Sequence, residues 1–352
     1  MPARLALALC VTLAACDFTP AIEIETPAFA PAVVVRAILS AGEPAVVRLS
    51  LSGDPLAAPV APADRLPTPT PAGATVTIFR DGRPVETLAP RRQTCYAAQH
   101  SSCNTTTGRT DVERSGPYDC SAFGGTLPVE PGATYTVRAT VPGLPPAEAT
   151  VTVPRPATVT VTEEGGDAVT RRLRVRVRDV PGAGTRYTLA FYREFEAYTT
   201  TVCRRGGARD TLVATPFPFR FQTRFATTEP LLLADVREPM ATLFLAPFTD
   251  AGFEGGEISV VIRADAAVPP THLVLSGGLQ VQVSTLSETL YDAALAAPAL
   301  FGGEDPFAEP SELPGNVAGG FGLVGAVARV DVRVPRRADA GRGYGVCRGG
   351  IC

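Results

Sequence analysis

The chain of 352 residues has no tryptophan, no lysine and two histidines, His100 and His272. A histidine-based catalytic centre or a His-rich metal site therefore has almost nothing to be built from. Charge is sparse as well: 19% of residues are charged, all 32 basic ones are arginine, and the formal net charge is −3. Nucleic-acid binding needs a clustered basic face, so nucleic acid is not an expected partner. Beyond the first sixteen residues no stretch approaches the roughly 20 apolar residues that cross a bilayer as a helix. There is no Gly-x-Ser-x-Gly nucleophile elbow and no Cys-x-x-Cys pair of the kind a structural zinc site uses. What the chain does have is 45% hydrophobic residues, 33 Gly and 34 Pro. That is ample apolar material for packed cores, with too much Gly and Pro for a helical protein and too little for a disordered one.

The first residues carry the most specific signal. Arg4 is followed by the apolar run Leu5–Leu13 and then by Leu13-Ala14-Ala15-Cys16. A basic start, a short apolar run and small residues make a secretory signal, too short to remain as a membrane helix. Small residues directly before a cysteine are what lipoprotein-processing enzymes require: the Cys16 thiol accepts a diacylglycerol thioether, and cleavage before it frees its amine for acylation. Two or three acyl chains anchor a protein stably where one does not. The expected partner is thus a lipid bilayer, reached through acylated Cys16, with residues 17–31 as a Pro- and Ala-rich tether.

Cys10 lies in the removed segment. Six cysteines remain, Cys95, Cys103, Cys120, Cys203, Cys347 and Cys352, an even count that points to disulfides in an exported protein. They allow fifteen pairings, and sequence does not choose among them. Cys347–Cys352 is the most local pair, and Cys95, Cys103 and Cys120 share one polar stretch, Arg91–Gly125, that reads as a long surface loop.

Strand signals dominate the rest of the chain. Val33–Leu39 and Val46–Leu51 flank Gly42-Glu43-Pro44, and Thr75–Arg80 meets Asp81-Gly82 before Arg83–Leu88. Asp-Gly between two such runs predicts a type I′ hairpin, whose two central residues both need positive φ. Tyr135–Val141 and Ala149–Val153 flank Pro142-Gly143, while Pro55–Pro71 suits a loop. After Pro154-Arg155-Pro156, Arg172–Val180 alternates arginine with Leu173, Val175 and Val177, a strand with one wet face. Further strands are expected at Tyr187–Phe191, Ile258–Ile262, Leu279–Val283 and Arg329–Val334. One helix is expected from about 285 to 297, with Thr285-x-x-Glu288 as a capping box. The pattern predicts an all-β chain of two tandem β-sandwiches, Ig-like or transthyretin-like: residues 32–154, then 155–335 with the short helix, then an Arg/Gly/Cys tail at 336–352.

The last third has a distinctive order. Gln280–Ala294 (QVQVSTLSETLYDAA) is followed by Asp305-Pro306-Phe307 and then by Asn316-Val317-Ala318-Gly319-Gly320-Phe321-Gly322. With the lipoprotein-type leader and the early strand pair, this resembles the domain-of-unknown-function 4249 family of Bacteroidota lipoproteins. It departs from that family in lacking the usual aromatic at the end of the Asn-Gly segment and in its cysteine-bearing stretch and tail. Members are often encoded near TonB-dependent outer-membrane receptors. The resemblance therefore implies a lipid-anchored outer-membrane protein, facing the periplasm or the surface, that serves an uptake receptor as a non-catalytic accessory or ligand-binding component. It implies no cofactor and no catalytic residues.

Read physically, Asn316–Gly322 is a turn leading into the last strand, since Asn and Gly tolerate left-handed backbone and no helix comes after it as a phosphate loop would need. Glu304, Asp305, Glu309 and Glu312 offer oxygens to a hard cation but lack the ladder of a calcium loop. Twelve of the 24 Phe and Tyr residues fall between Tyr187 and Phe253. They are the natural filling of a second core. Phe217, Phe219, Phe221 and Tyr192 are the residues to suspect if part of the cluster is instead an exposed binding platform. A structural or adhesive display module and a hydrolase with an unrecognised site are the rival readings.

Overall fold

The computed structural model describes residues 29–53, 70–92, 94–96, 99–104, 109–114, 117–119, 121–166, 170–180, 182, 184–204, 207–222, 225–227, 247–251, 253, 255–265, 273–301 and 314–334. For strand and helix residues within 94–119, 193–227, 263–278 and 297–301, and for residue 170, the backbone alone is described. The expected loop Pro55–Pro71 lies almost wholly outside these residues.

Among the described residues the fold is all-β with one helix. Along the first half run β1 (Val33–Ser40), β2 (Pro44–Leu51), β3 (Thr75–Arg80), β4 (Arg83–Thr87), β5 (Ala89–Arg91), β6 (Thr94–Tyr96), β7 (Gln99–Asn104), β8 (Arg109–Arg114), β9 (Pro117–Asp119), β10 (Ala122–Pro128), β11 (Thr134–Thr140) and β12 (Ala147–Thr152). The second half holds β13 (Thr158–Gly166), β14 (Thr170–Arg178), β15 (Arg186–Arg204), β16 (Gly207–Gln222), β17 (Phe225–Thr227), β18 (Phe248–Thr249), β19 (Glu257–Asp265), β20 (Leu273–Leu286), α1 (Glu288–Phe301) and β21 (Phe321–Val334).

One long sheet, in the order β16-β15-β20-β21-β1-β2-β10-β5, runs through both halves of the body that starts at Ala32. Two four-stranded sheets, β12-β11-β3-β4 and β13-β14-β19-β17, complete two cores upon it. Alternation decides which side chains go in. In β1, Val33, Val35, Ala37 and Leu39 are buried and join Val47, Val76, Ile78, Val137 and Val151 in the first core. Leu173, Val175 and Val177 of β14 join Tyr187, Leu189, Phe191, Val260, Ile262, Val281 and Val283 in the second. Residues 153–157 connect β12 to β13 between the two cores, while the long sheet passes from one core to the other.

β21 is the reason the long sheet is continuous. Its first half, Phe321–Val327, pairs in parallel with Val34–Ser40 of β1, and its second half, Val327–Val334, pairs antiparallel with Leu279–Leu286 of β20. Val324 and Ala326 enter the first core and Val334 the second. The N-terminal sandwich is therefore closed by a strand from the far end of the chain.

Local expectations are met where local chemistry rules. Asp81 and Gly82 have φ of 49° and 80°, the two positive values a type I′ turn requires. The outer arginines of β14 face water and carboxylates, Arg174 pairing with Glu164, Arg172 lying 3.6 Å from Glu164 and Arg176 4.0 Å from Glu257, while Arg171, on the side of Leu173, is largely covered and pairs with Glu163. Two local readings differ from the structure. The polar stretch Arg91–Gly125 is not a loop throughout, because β6 pairs with β9 and β7 with β8, ladders held by backbone bonds that leave no apolar alternation to read. The helix begins at Glu288, later than the Thr285 cap placed it. Thr285 still pairs with Ala328 and Tyr187 in the sheet, and the ladder continues through Ser287 N–H to Ala326 O at 2.9 Å. Ser287, not Thr285, precedes the helix, and its carbonyl accepts the Tyr291 N–H at 3.0 Å.

Candidate functional site

The Asn-Gly segment before β21 is a clamp. Asn316 Nδ2 donates to Val324 O at 2.9 Å, Val324 N–H returns a bond to Asn316 Oδ1 at 2.9 Å, and Asn316 N–H donates to Gly322 O at 3.3 Å. Ala318 exchanges two backbone bonds with Glu148 of β12, at 2.8 and 2.9 Å. The glycines are required by proximity. A Cβ on Gly319 would stand 2.3 Å from Pro146 O, on Gly320 2.4 Å from Val33 O, and on Gly322 2.0 Å from Val35 O. Gly319 and Gly322 also have φ of 73° and 116°. The segment that looks like a ligand loop is thus a seat pressed against the N-terminal sandwich, in line with its reading as a turn.

Each half carries a tyrosine that ties the start of a strand to the backbone just upstream. Tyr135, in β11, accepts the Glu130 N–H at 2.9 Å. Tyr187, in β15 and wholly buried, accepts the Val180 N–H at 3.2 Å and donates its own proton to Asp179. The other oxygen of Asp179 accepts the Gly255 N–H at 2.8 Å. Burial and the adjoining carboxylate hold the Tyr187 phenol well above its ordinary pKa, so it stays protonated. Asp250, also buried, accepts the Thr185 N–H at 2.9 Å. These corners were legible in principle, since Pro131-Gly132-Ala133 and Pro181-Gly182-Ala183 each precede a Tyr-Thr pair.

An open cleft of about 480 Å³ lies where the two halves adjoin, bordered by Gly132, Thr152 and Arg155 on one side and by Gly184, Arg186 and Thr289 on the other. Arg186 is committed: it donates to Gly184 O at 3.0 Å and to Glu288 at 2.7 Å, and its guanidinium lies 5.7 Å from the Tyr291 ring centre. Arg155 lies against Gly132 and has no ion-pair partner among the described residues. Hydroxyls and one uncommitted guanidinium suit hydrogen bonding to a polar ligand. Among the described residues no group of three His, Cys, Asp or Glu is placed to share a metal ion, and no helix is long and apolar enough to cross a membrane.

The remaining sequence candidates are placed unevenly. Tyr187 and Phe191 are core, whereas Tyr192 is half-buried on the outer face of the long sheet, its hydroxyl 3.5 Å from Gln282 Oε1. Gln282 Nε2 in turn donates to Asp331 at 2.9 Å, so Tyr192 belongs to a polar row across three strands. Phe217, Phe219 and Phe221 lie on β16, where the backbone alone is described. Cys95, Cys103 and Cys203 lie on β6, β7 and β15 in the same condition, and His100 is on β7. Cys16, Cys120, Cys347, Cys352, His272 and the Glu304–Glu312 carboxylates fall outside the described residues.

A family model described as "Domain of unknown function (DUF4249)" matches residues 19–333. No curated protein matches the chain.

Proposed function

The chain belongs to the DUF4249 family, and on that premise we propose that it is a non-catalytic cell-envelope lipoprotein, an accessory or ligand-binding component beside a TonB-dependent outer-membrane uptake receptor. The observation that carries this reading is Leu13-Ala14-Ala15-Cys16 at the end of a secretory leader. Acylated Cys16 holds the protein to the outer membrane. The fifteen residues Asp17–Pro31 let the body stand off by at most about 54 Å at full extension. The polar cleft beside Arg155, with its uncommitted guanidinium, supports a binding role in preference to bond-breaking chemistry.

Two measurements test the proposal in sequence. Mass spectrometry of the mature N-terminus is expected to find a diacylglyceryl group on Cys16, and Cys16→Ala to leave the membrane fraction. An unmodified N-terminus, or a Cys16→Ala chain that still partitions with membranes, removes the anchor. Affinity purification of the detergent-solubilised protein is then expected to bring down a TonB-dependent receptor. Recovery of the protein alone after cross-linking in cells favours the display reading, which has its own support in the β15–β16 hairpin that continues beyond the end of β20.

A further inference from the structure

Two features of the cleft between the halves are left without partners. Thr285 follows Val281 and Val283 on the face of β20 that carries the second core, opposite Ala328 of β21, and ends that row where β20 borders the cleft. The residue is 2% exposed, and its hydroxyl has no hydrogen-bond partner among the described residues. Valine would fill the same place without burying an unpaired polar atom, which is costly. The second feature is the start of α1. Ser287 stands at the cap position, but its hydroxyl accepts the Ala326 N–H at 2.9 Å and so does not serve the helix. The N–H groups of Glu288 and Thr289, both at the cleft, have no acceptor among the described residues.

Charge at the cleft favours an anion. Arg186 and Glu288 offset each other through their ion pair, which leaves the Arg155 guanidinium. Arg155 stands between Pro154 and Pro156, whose rings narrow the backbone choices on either side. It lies across Gly132, where a Cβ would come 3.0 Å from its Nε. A guanidinium, a hydroxyl and the free amides of a helix start are all donors, and together they suit an oxyanion. We propose that the cleft binds an oxyanion group, the carboxylate or phosphate of a small polar ligand. Arg155 is its counter-ion, and the first amides of α1 and the Thr285 hydroxyl at the inner wall are its hydrogen-bond donors. The inference rests on the binding reading of the cleft given above and adds the chemical class of the ligand.

The test is a titration of the full chain, as isolated from cells in detergent, with inorganic phosphate and separately with succinate. Ionic strength is matched throughout so that screening stays constant, and thermal unfolding is read at each addition. A saturable rise in Tm with at least one probe is expected, and the tighter probe names the group. Arg155→Gln, at an exposed position, is expected to keep the Tm of the unliganded protein and to weaken binding about tenfold. Thr285→Val is expected to hold or raise the unliganded Tm while weakening binding about threefold, a combination that a purely structural threonine would not give. Glu288→Gln releases Arg186 and is expected to tighten binding by about threefold. No saturable rise with either probe, or an equal rise in Arg155→Gln, overturns the proposal. If Thr285→Val fails to fold, the opposite shifts of Arg155→Gln and Glu288→Gln still decide. Receptor recovery from the same preparations keeps the two readings apart. A receptor brought down by a protein that binds neither probe sinks this inference alone, whereas Arg155-dependent binding with no receptor recovered sinks the accessory reading alone.

Discussion

The two halves of the body are closed by different devices. The N-terminal sandwich takes a parallel strand from more than 280 residues away in sequence, since Phe321 pairs beside Val34, and seats it by glycines pressed on carbonyl oxygens. The C-terminal half is fastened by a buried polar triangle in which the Tyr187 hydroxyl, the Asp179 carboxylate and the Gly255 N–H satisfy one another. At the matching corner of the first half, Tyr135 accepts the Glu130 N–H and meets the Arg80 guanidinium, which is itself paired with the exposed Glu130 carboxylate. In the second half Asp179 stands at the end of the β14–β19 ladder, where its N–H reaches Gly256 O at 2.9 Å, and its buried carboxylate carries the join on to Gly255 and Tyr187.

Substitutions ordered by expected effect sharpen this contrast. Gly322→Val puts a branched side chain where a single Cβ already stands 2.0 Å from Val35 O, at a φ of 116°. It should cost about 4 kcal/mol or more in denaturant unfolding and should destabilise the N-terminal half first. A stable Gly322→Val protein would show that β21 is not needed there. Asp179→Ala leaves the Tyr187 hydroxyl without its acceptor in the second core and frees the Gly255 N–H at the core's edge, and a loss of about 3 kcal/mol is expected, with hydrogen exchange rising first around the β14–β15 turn. Tyr187→Phe should cost about 2 kcal/mol and Tyr135→Phe about 1 kcal/mol. Equal losses at the two would erase the distinction between the corners.

Tyr187 also gives the second half its own pH dependence. Its pKa is raised by burial and by Asp179, so the native state keeps a proton that the unfolded chain releases. That contribution is complete below the unfolded value of about 10 and falls as pH rises toward the native one. Stability measured from pH 9 to 11.5 should decline, and Tyr187→Phe should flatten the decline.

The smallest effect belongs to Glu86 in the first half. Partial burial alone would raise its pKa, but the Thr126 hydroxyl and N–H at 2.8 and 2.7 Å and the Leu127 N–H at 3.3 Å outweigh that and lower it. The bulge of β10 between Gly124 and Pro128 takes these two amides off its ladder with β2, and the Glu86 carboxylate accepts them. Its stabilisation is present above about pH 4.5 and is lost as pH falls through the lowered native value. Glu86→Gln should cost less than about 1 kcal/mol in thermal unfolding at pH 7 and should weaken the acid response.

The strands around Asp81-Gly82 and the β14 arginine row could be read before any coordinates, because a period of two and a pair of positive-φ residues are local properties. The helix start could not. Thr285 and Ser287 are equally good caps by type, and the choice between them was made by Ala326, whose backbone keeps residues up to 287 extended. The polar cleft was likewise invisible, since Arg155 and Arg186 come together only after the two cores form.

By itself, the order of residues determined the all-β class, the Asp81-Gly82 turn and the wet and buried faces of β14, because each depends on neighbours a few residues away. Which strands share a sheet, and why Asn316–Gly322 must be what it is, were decided by the folded body. The space left for a side chain there is set by the carbonyls of Val33, Val35 and Pro146, and no local pattern encodes atoms that arrive from the other end of the chain.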